Sequence, residues 1–203
     1  MFITFEGGDG AGKSTQIARL AAHLREAGHE VETTFEPGEG ELGKELRRLI
    51  QHSGDIDART EALLYAADRA EHVARVVRPA LERGAIVLCD RYLDSSVAYQ
   101  GAGRDLGTEE IRDLSIWATH GLMPDLTLLF DIDPELAATR RTGEPDRLER
   151  EPLAFHTQVR ENFVAAAHAY PERFVIIDAA RTPDEISADV QRIVGERMTG
   201  AQS

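Results

Sequence analysis

Five strand-like runs punctuate the chain, and between them apolar residues recur at helical spacing. Residues 2–6 predict the first strand. Residues 13–27 predict a helix with Ile17, Leu20, Ala21 and Leu24 on one face, ended by Gly28. Val31 to Phe35 predicts a second strand, followed by a turn at Glu36-Pro37-Gly38-Glu39-Gly40. Leu42, Leu46, Leu49 and Ile50 predict a short helix. Residues 57–83 predict a long helical stretch, kinked before Pro79 because the residue ahead of a proline is pushed out of the helical region. Ala85 to Cys89 is a continuous apolar strand ending in Asp90. Residues 108–120 predict a helix with Thr108 as its N-cap. Leu126 to Phe130 is a further strand, ending in Asp131, and Asp133-Pro134 opens a helix with proline at its first position. After a charge-dense segment at 140–150 come a helix at 151–169, a strand at Phe174–Ile177 and a terminal helix from Pro183 to Met198.

Three of the strands are apolar throughout and do not alternate. Such strands are covered on both faces, as in a parallel sheet with helices on either side. At 203 residues the chain predicts one α/β domain, 1–203, with a lid insertion at about 140–150.

Composition narrows the chemistry. A net charge of −13 argues against a nucleic-acid partner, which would call for a basic face. Cys89 is the only cysteine, so a disulfide framework within the chain is excluded, and the seven histidines show no metal-ligand spacing. No apolar run reaches the length of a membrane span, and the N-terminus enters a strand directly. The expectation is a cytoplasmic protein without a membrane partner.

Ligands in open α/β sheets sit beyond the carboxyl ends of the strands, so the residues following each strand carry the chemistry. After the first comes Gly7-Gly8-Asp9-Gly10-Ala11-Gly12-Lys13-Ser14-Thr15, in which the pattern G-x-x-x-x-G-K-[ST] lies between strand and helix. Glycines let main-chain N–H groups curl around phosphate oxygens, and the helix N-terminus adds unpaired donors. Lys13 reaches the β- and γ-phosphates of ATP as a point charge, and Ser14 holds Mg²⁺. Asp90 and Asp131 both end apolar strands. Asp90 is favoured as the acid near Mg²⁺ because Arg91 beside it adds a phosphate ligand, whereas Asp131 leads into helix-starting residues. Asp9 is an acid beside bound phosphates, which requires either solvent or a second ligand's hydroxyl as its partner. Tyr65 and Arg69, four apart, share a helix face on which a base can stack and be hydrogen-bonded; a core tyrosine and a surface arginine are the alternative. Arg140, Arg141 and Arg147 lie in the segment fit to close over a transferring phosphoryl group. Trp117 is either an interface residue or an ordinary core aromatic.

Together these motifs resemble the thymidylate kinase family along essentially the whole chain. The resemblance rests on residues 5–16, Glu36-Pro37-Gly38, Leu63 to Arg69, Arg78 to Glu82, Asp90-Arg91-Tyr92, Asp94 to Gly101 and Asp146 to Glu149. It implies a P-loop nucleoside monophosphate kinase fold, a five-stranded parallel sheet in the order 2-3-1-4-5, and transfer of the γ-phosphoryl group of ATP to dTMP. A homodimer built on the 57–83 and 108–120 helices is implied as well. By the same resemblance Asp9 contacts the sugar 3′-hydroxyl, Tyr65 stacks on thymine and Arg69 bonds its carbonyl. Arg91 holds the acceptor phosphate, Glu36 and Pro37 lie under the acceptor, and Ser96, Tyr99 and Gln100 line the nucleoside. The region from Ala179 to Thr182 borders adenine. The family carries its catalytic arginine either in the phosphate loop or in the lid. Gly10 at the loop position marks the lid type, with Arg140, Arg141 and Arg147 as candidates. Phe35 and Thr142 stand where many relatives have arginine.

Overall fold

The computed structural model describes residues 1–141 and 144–200. Five parallel strands, β1 (Phe2–Glu6), β2 (Val31–Phe35), β3 (Ile86–Asp90), β4 (Leu126–Asp131) and β5 (Phe174–Asp178), form one sheet in the order β2-β3-β1-β4-β5. Helices α1 (Lys13–Glu26), α2 (Gly40–His52), α3 (Ala58–His72), α4 (Arg78–Glu82), α5 (Leu93–Ser96), α6 (Thr108–Ala118), α7 (Pro134–Arg140), α8 (Leu153–Ala169) and α9 (Pro183–Gly200) connect and cover it.

Successive side chains of a strand go to opposite faces, so an apolar strand feeds two cores. Ile3, Phe5, Leu88 and Leu128 join Leu20 of α1 and Val190 of α9 on one side. Phe2, Val87 and Cys89 join Val77, Tyr92 and Leu93 on the other. This double coverage explains why these strands lack polar alternation. It also places β1 centrally, between β3 and β4, where the strand order reverses and a crevice opens at the carboxyl ends.

The long helical stretch stays helical through Arg78, ahead of Pro79, in place of the expected departure there, and changes its winding instead. Asp57 caps α3 by accepting from the N–H groups of Arg59 and Thr60. A π-helical turn at Val73–Val77 then leads into α4, with Pro79 in its first turn. Proline supplies no N–H and crowds the carbonyl one turn back, and the wider turn absorbs that mismatch. The predicted cap of α6 shifts by one residue. Gly107, at φ 92°, occupies the cap position and Thr108 is the first helical residue, because the entry needs a left-handed backbone that a β-branched side chain resists. The sequence reading assigned no element to α5 or to the π-helical Val97–Gly103 that follows it.

A buried ion pair holds α5 to the sheet. Arg173, just before β5, donates to Asp94 at 2.6 and 3.0 Å and to Thr127 Oγ1 at 2.7 Å. Truncating one partner strands the other in a dry environment. Asp94→Ala is expected to cost about 3–5 kcal/mol of stability, read as a lowered denaturant midpoint.

Candidate active site

The turn from β1 into α1 is shaped by glycines at φ 128° (Gly7), 87° (Gly10) and 88° (Gly12). A Cβ on Gly10 would lie 2.3 Å from the carbonyl oxygen of Ala137, so this backbone has no room for a side chain there. Lys13 is buried and its Nζ donates to the carbonyls of Gly7 and Gly8 at 2.9 and 3.0 Å, folding the loop back on itself. Ser14 Oγ donates to Asp90 Oδ2 at 3.0 Å, and Lys13 Nζ lies 3.9 Å from Asp90 Oδ1. Asp131 is committed elsewhere: Arg160 grips both its oxygens at 2.6 and 2.9 Å. Of the two aspartates, the one beside the loop is therefore Asp90. Among the described residues no group of three or more His, Cys, Asp or Glu side chains could hold a metal. One hydroxyl and one carboxylate nevertheless suit Mg²⁺, which keeps waters and phosphate oxygens as its remaining ligands.

Arg91 leaves β3 at φ 68°, an unusual backbone for a non-glycine residue and a local strain the surroundings must hold. Its guanidinium donates to Asp9 Oδ1 at 2.7 Å, Ser95 Oγ at 3.1 Å and Tyr99 Oη at 3.4 Å, and lies over the Tyr99 ring. Burial alone would raise the Asp9 carboxyl; Arg91 and Lys13 overturn this and hold it well below the usual carboxylate range. Burial pushes the Tyr99 phenol up to about 12.

The turn after β2 and the face of α3 are welded together. Glu36 is buried and accepts from Arg69 Nε at 2.7 Å, with His72 Nδ1 at 2.8 Å. Arg69 also donates to Ser115 Oγ, to the Tyr92 carbonyl and to Ser96 Oγ. Far from being a surface arginine, it is 1% exposed and joins four segments. Its primary partners are protein groups, and one guanidinium N–H is left over. Tyr65, one turn before Arg69, is half-buried.

These elements enclose a cavity of about 320 Å³ lined by every residue assigned to the acceptor: Asp9, Glu36, Pro37, Tyr65, Arg69, Arg91, Ser96, Tyr99 and Gln100. An open cleft of about 1080 Å³ runs beside it along Asp9 to Thr15, with Arg140, Arg181, Pro183 and Ile186 on its far wall. Gly7 and Gly8 do not line that cleft; with Asp9, Phe130 and Arg141 they line a small adjoining hollow. The cavity and the cleft share Asp9, Glu36, Arg47 and Arg91.

The three lid arginines part company. Arg140 donates to the carbonyls of Ala179 and Ala180, at the edge of the cleft. Arg141 donates to the carbonyl of Asp9 in the loop and to that of Glu149, both at 3.3 Å. Arg147 is not brought to the loop; it pairs with buried Glu61 at 2.6 Å and donates to the Ile50 carbonyl. Thr142 and Gly143 lie outside the described residues.

Arg47 was missed by the sequence reading. It lies on α2, its guanidinium 5.6 Å from the Phe35 ring centroid, donating to the Pro37 carbonyl at 2.7 Å and bordering both cavity and cleft. Phe35 thus supplies a platform for a cation carried by another element. The available signal was Phe35 itself, an aromatic residue at the end of a strand, just before the Glu36-Pro37-Gly38 turn.

Asp68 reports on the same region. Its Oδ1 accepts from Gly38 N at 3.0 Å, and its Oδ2 is buried without a partner. Burial and the Glu36 carboxylate push its carboxyl up to about 7 from the ordinary 3.8. Between those values the native form holds the proton and the unfolded chain does not. Its contribution to stability is therefore full below about 3.8 and is lost as pH rises through about 7. Asp68→Asn removes that dependence. At pH 8 it is expected to melt higher than wild type by on the order of 5 °C, with the gap closing towards pH 4, in melting curves across pH.

The sequence profile of the thymidylate kinase family matches residues 5–190. A thymidylate kinase from Clavibacter michiganensis subsp. michiganensis is 58% identical over 195 residues, covering 94% of this chain and 92% of that protein. One from Deinococcus radiodurans is 52% identical over 200 residues, covering 97% of each. The crystal structure of thymidylate kinase from Ehrlichia chaffeensis superposes with a TM-score of 0.80 at 32% identity, covering 96% of this chain and 98% of that one. With its parallel sheet, its phosphate loop and this likeness along nearly its whole length, the chain belongs to the thymidylate kinase family.

Proposed function

We propose that the chain catalyses transfer of the γ-phosphoryl group of ATP to dTMP, giving dTDP and ADP, within one kinase domain. The observation that carries this reading is the shared wall of cavity and cleft, where Asp9 and Arg91 stand between two pockets of different character. One has the size of a nucleotide and an aromatic side chain for a base; the other follows a loop of main-chain amides suited to a triphosphate.

The work of the protein is positioning and charge. The amides of residues 9–15 and the Lys13 side chain hold the triphosphate, and Lys13 exchanges its two carbonyl acceptors for phosphate oxygens. Arg91 holds the acceptor phosphate, whose attacking oxygen is already ionised at neutral pH, so no strong general base is needed. Asp9 uses one oxygen for Arg91 and offers the other to the sugar 3′-hydroxyl. Ser14 and Asp90 are the residues that would hold Mg²⁺, which neutralises charge on the β- and γ-phosphates when bound. Of the lid arginines, Arg141 is nearest the loop and is assigned to the transferring phosphoryl group. Arg140 is assigned to the donor nucleotide and Arg147 to holding the lid. Aligning two bound reactants and meeting developing charge with fixed cations supply the acceleration.

Trp117 on α6 is 77% exposed and Leu63 on α3 is 58% exposed, which favours the interface reading of the tryptophan over the core one. We assign this face to a homodimer and the working compartment to the cytoplasm, where Cys89 remains a thiol. Light scattering is expected to give about twice the 22.4 kDa of one chain, and Trp117→Ala to shift the mass towards the monomer.

Steady-state kinetics with dTMP, dUMP, AMP, GMP and CMP tests the activity. dTMP is expected to be preferred, and comparable turnover of a purine monophosphate would reject the acceptor. Lys13→Ala and Arg141→Ala are each expected to lower kcat by about 10²–10³-fold, with Arg147→Ala milder.

A further inference from the structure

Glu61 is the most heavily loaded carboxylate outside the machinery described so far. It sits in the first turn of α3, one turn before Tyr65, and is fully buried. Its Oε1 accepts from Gln100 Nε2 at 2.8 Å. Its Oε2 pairs with Arg147 at 2.6 Å and with Arg104 at 3.3 Å, and Arg104 in turn reaches Glu151 at 2.6 Å. Two guanidiniums thus supply the countercharge that lets a carboxylate sit here out of water.

The partner that matters for chemistry is Gln100. A side-chain amide has a donor end and an acceptor end of nearly the same shape, and only its neighbours decide which way it points. A carboxylate can only accept, so the donor end of Gln100 must face Glu61. Gln100 is buried and lines the acceptor cavity, and its Oε1 meets no protein donor among the described residues. We propose that Glu61 is a positioning residue for base selection. It locks the Gln100 amide with Nε2 turned to itself, so that only the carbonyl end is offered to the base. A pyrimidine with a ring N–H at that edge, thymine or uracil, is then matched. Cytosine, whose corresponding ring nitrogen is an acceptor, meets oxygen against a lone pair.

The inference rests on the acceptor-site reading above, and the experiment keeps the two apart. Wild type, Glu61→Gln and Glu61→Asp are compared for kcat/KM with dTMP and with dCMP, alongside melting curves. An amide at position 61 can donate as well as accept, which frees Gln100 to turn over. The ratio of dTMP to dCMP specificity in Glu61→Gln is expected to fall by about tenfold or more. Should that variant fail to fold, Glu61→Asp keeps the charge for Arg104 and Arg147 while drawing the acceptor away from Gln100, and the same ratio is expected to fall. Loss of lid anchoring alone would lower kcat on both substrates equally. An unchanged ratio in a folded variant, beside a wild type that phosphorylates dTMP, overturns the role given to Glu61. A wild type that leaves dTMP unphosphorylated overturns the acceptor site instead.

Discussion

The ion pair between Arg91 and Asp9 is the constraint around which the rest is arranged. A protein that brings two anions end to end must put positive charge between them without letting that charge collapse onto its own acids. Arg91 is held by a strained backbone at the end of β3, and Asp9 by the loop after β1. These two strands are hydrogen-bonded neighbours, with Phe5 opposite Asp90, so the sheet register sets the separation of the charges. The central place of β1 in the strand order is thus a condition of the electrostatics as well as of the core.

Charge is buried around this pair to an unusual degree. Glu36 with Arg69, and Asp94 with Arg173, are shielded from water. Ion pairs of this kind contribute little net stability, because desolvation offsets the attraction. Their value here is geometric. Arg69 bonds the turn after β2, the start of α5 and the middle of α6 through a single planar group, which long apolar side chains could not do with the same directionality.

Most of the fold was legible because strands covered on both faces announce themselves as unbroken apolar runs, and because glycine, proline and aspartate mark where helices begin and end. The position of Asp90 beside the phosphate loop, with Asp131 held apart by Arg160, agrees with local signals, since Arg91 follows one and helix-starting residues follow the other. What stayed hidden depends on partners far away in the chain. Nothing near Arg69 tells that Glu36 will seize it across 33 positions. Nothing near Arg147 distinguishes it from Arg141 until Glu61, on a different helix, claims it. Arg47 and the short helix α5 were missed for the same reason: their importance lies in what packs against them.

The close approach of Gly10 to the carbonyl of Ala137 limits where this chain can carry a cation. In this chain the backbone of α7 occupies the space that any side chain at position 10 would need. A lone substitution there would gain a cation only by driving helix and loop apart. A cation at that point of the loop therefore requires retreat of α7 together with the new side chain, so charge for this end of the cleft has to come from other elements.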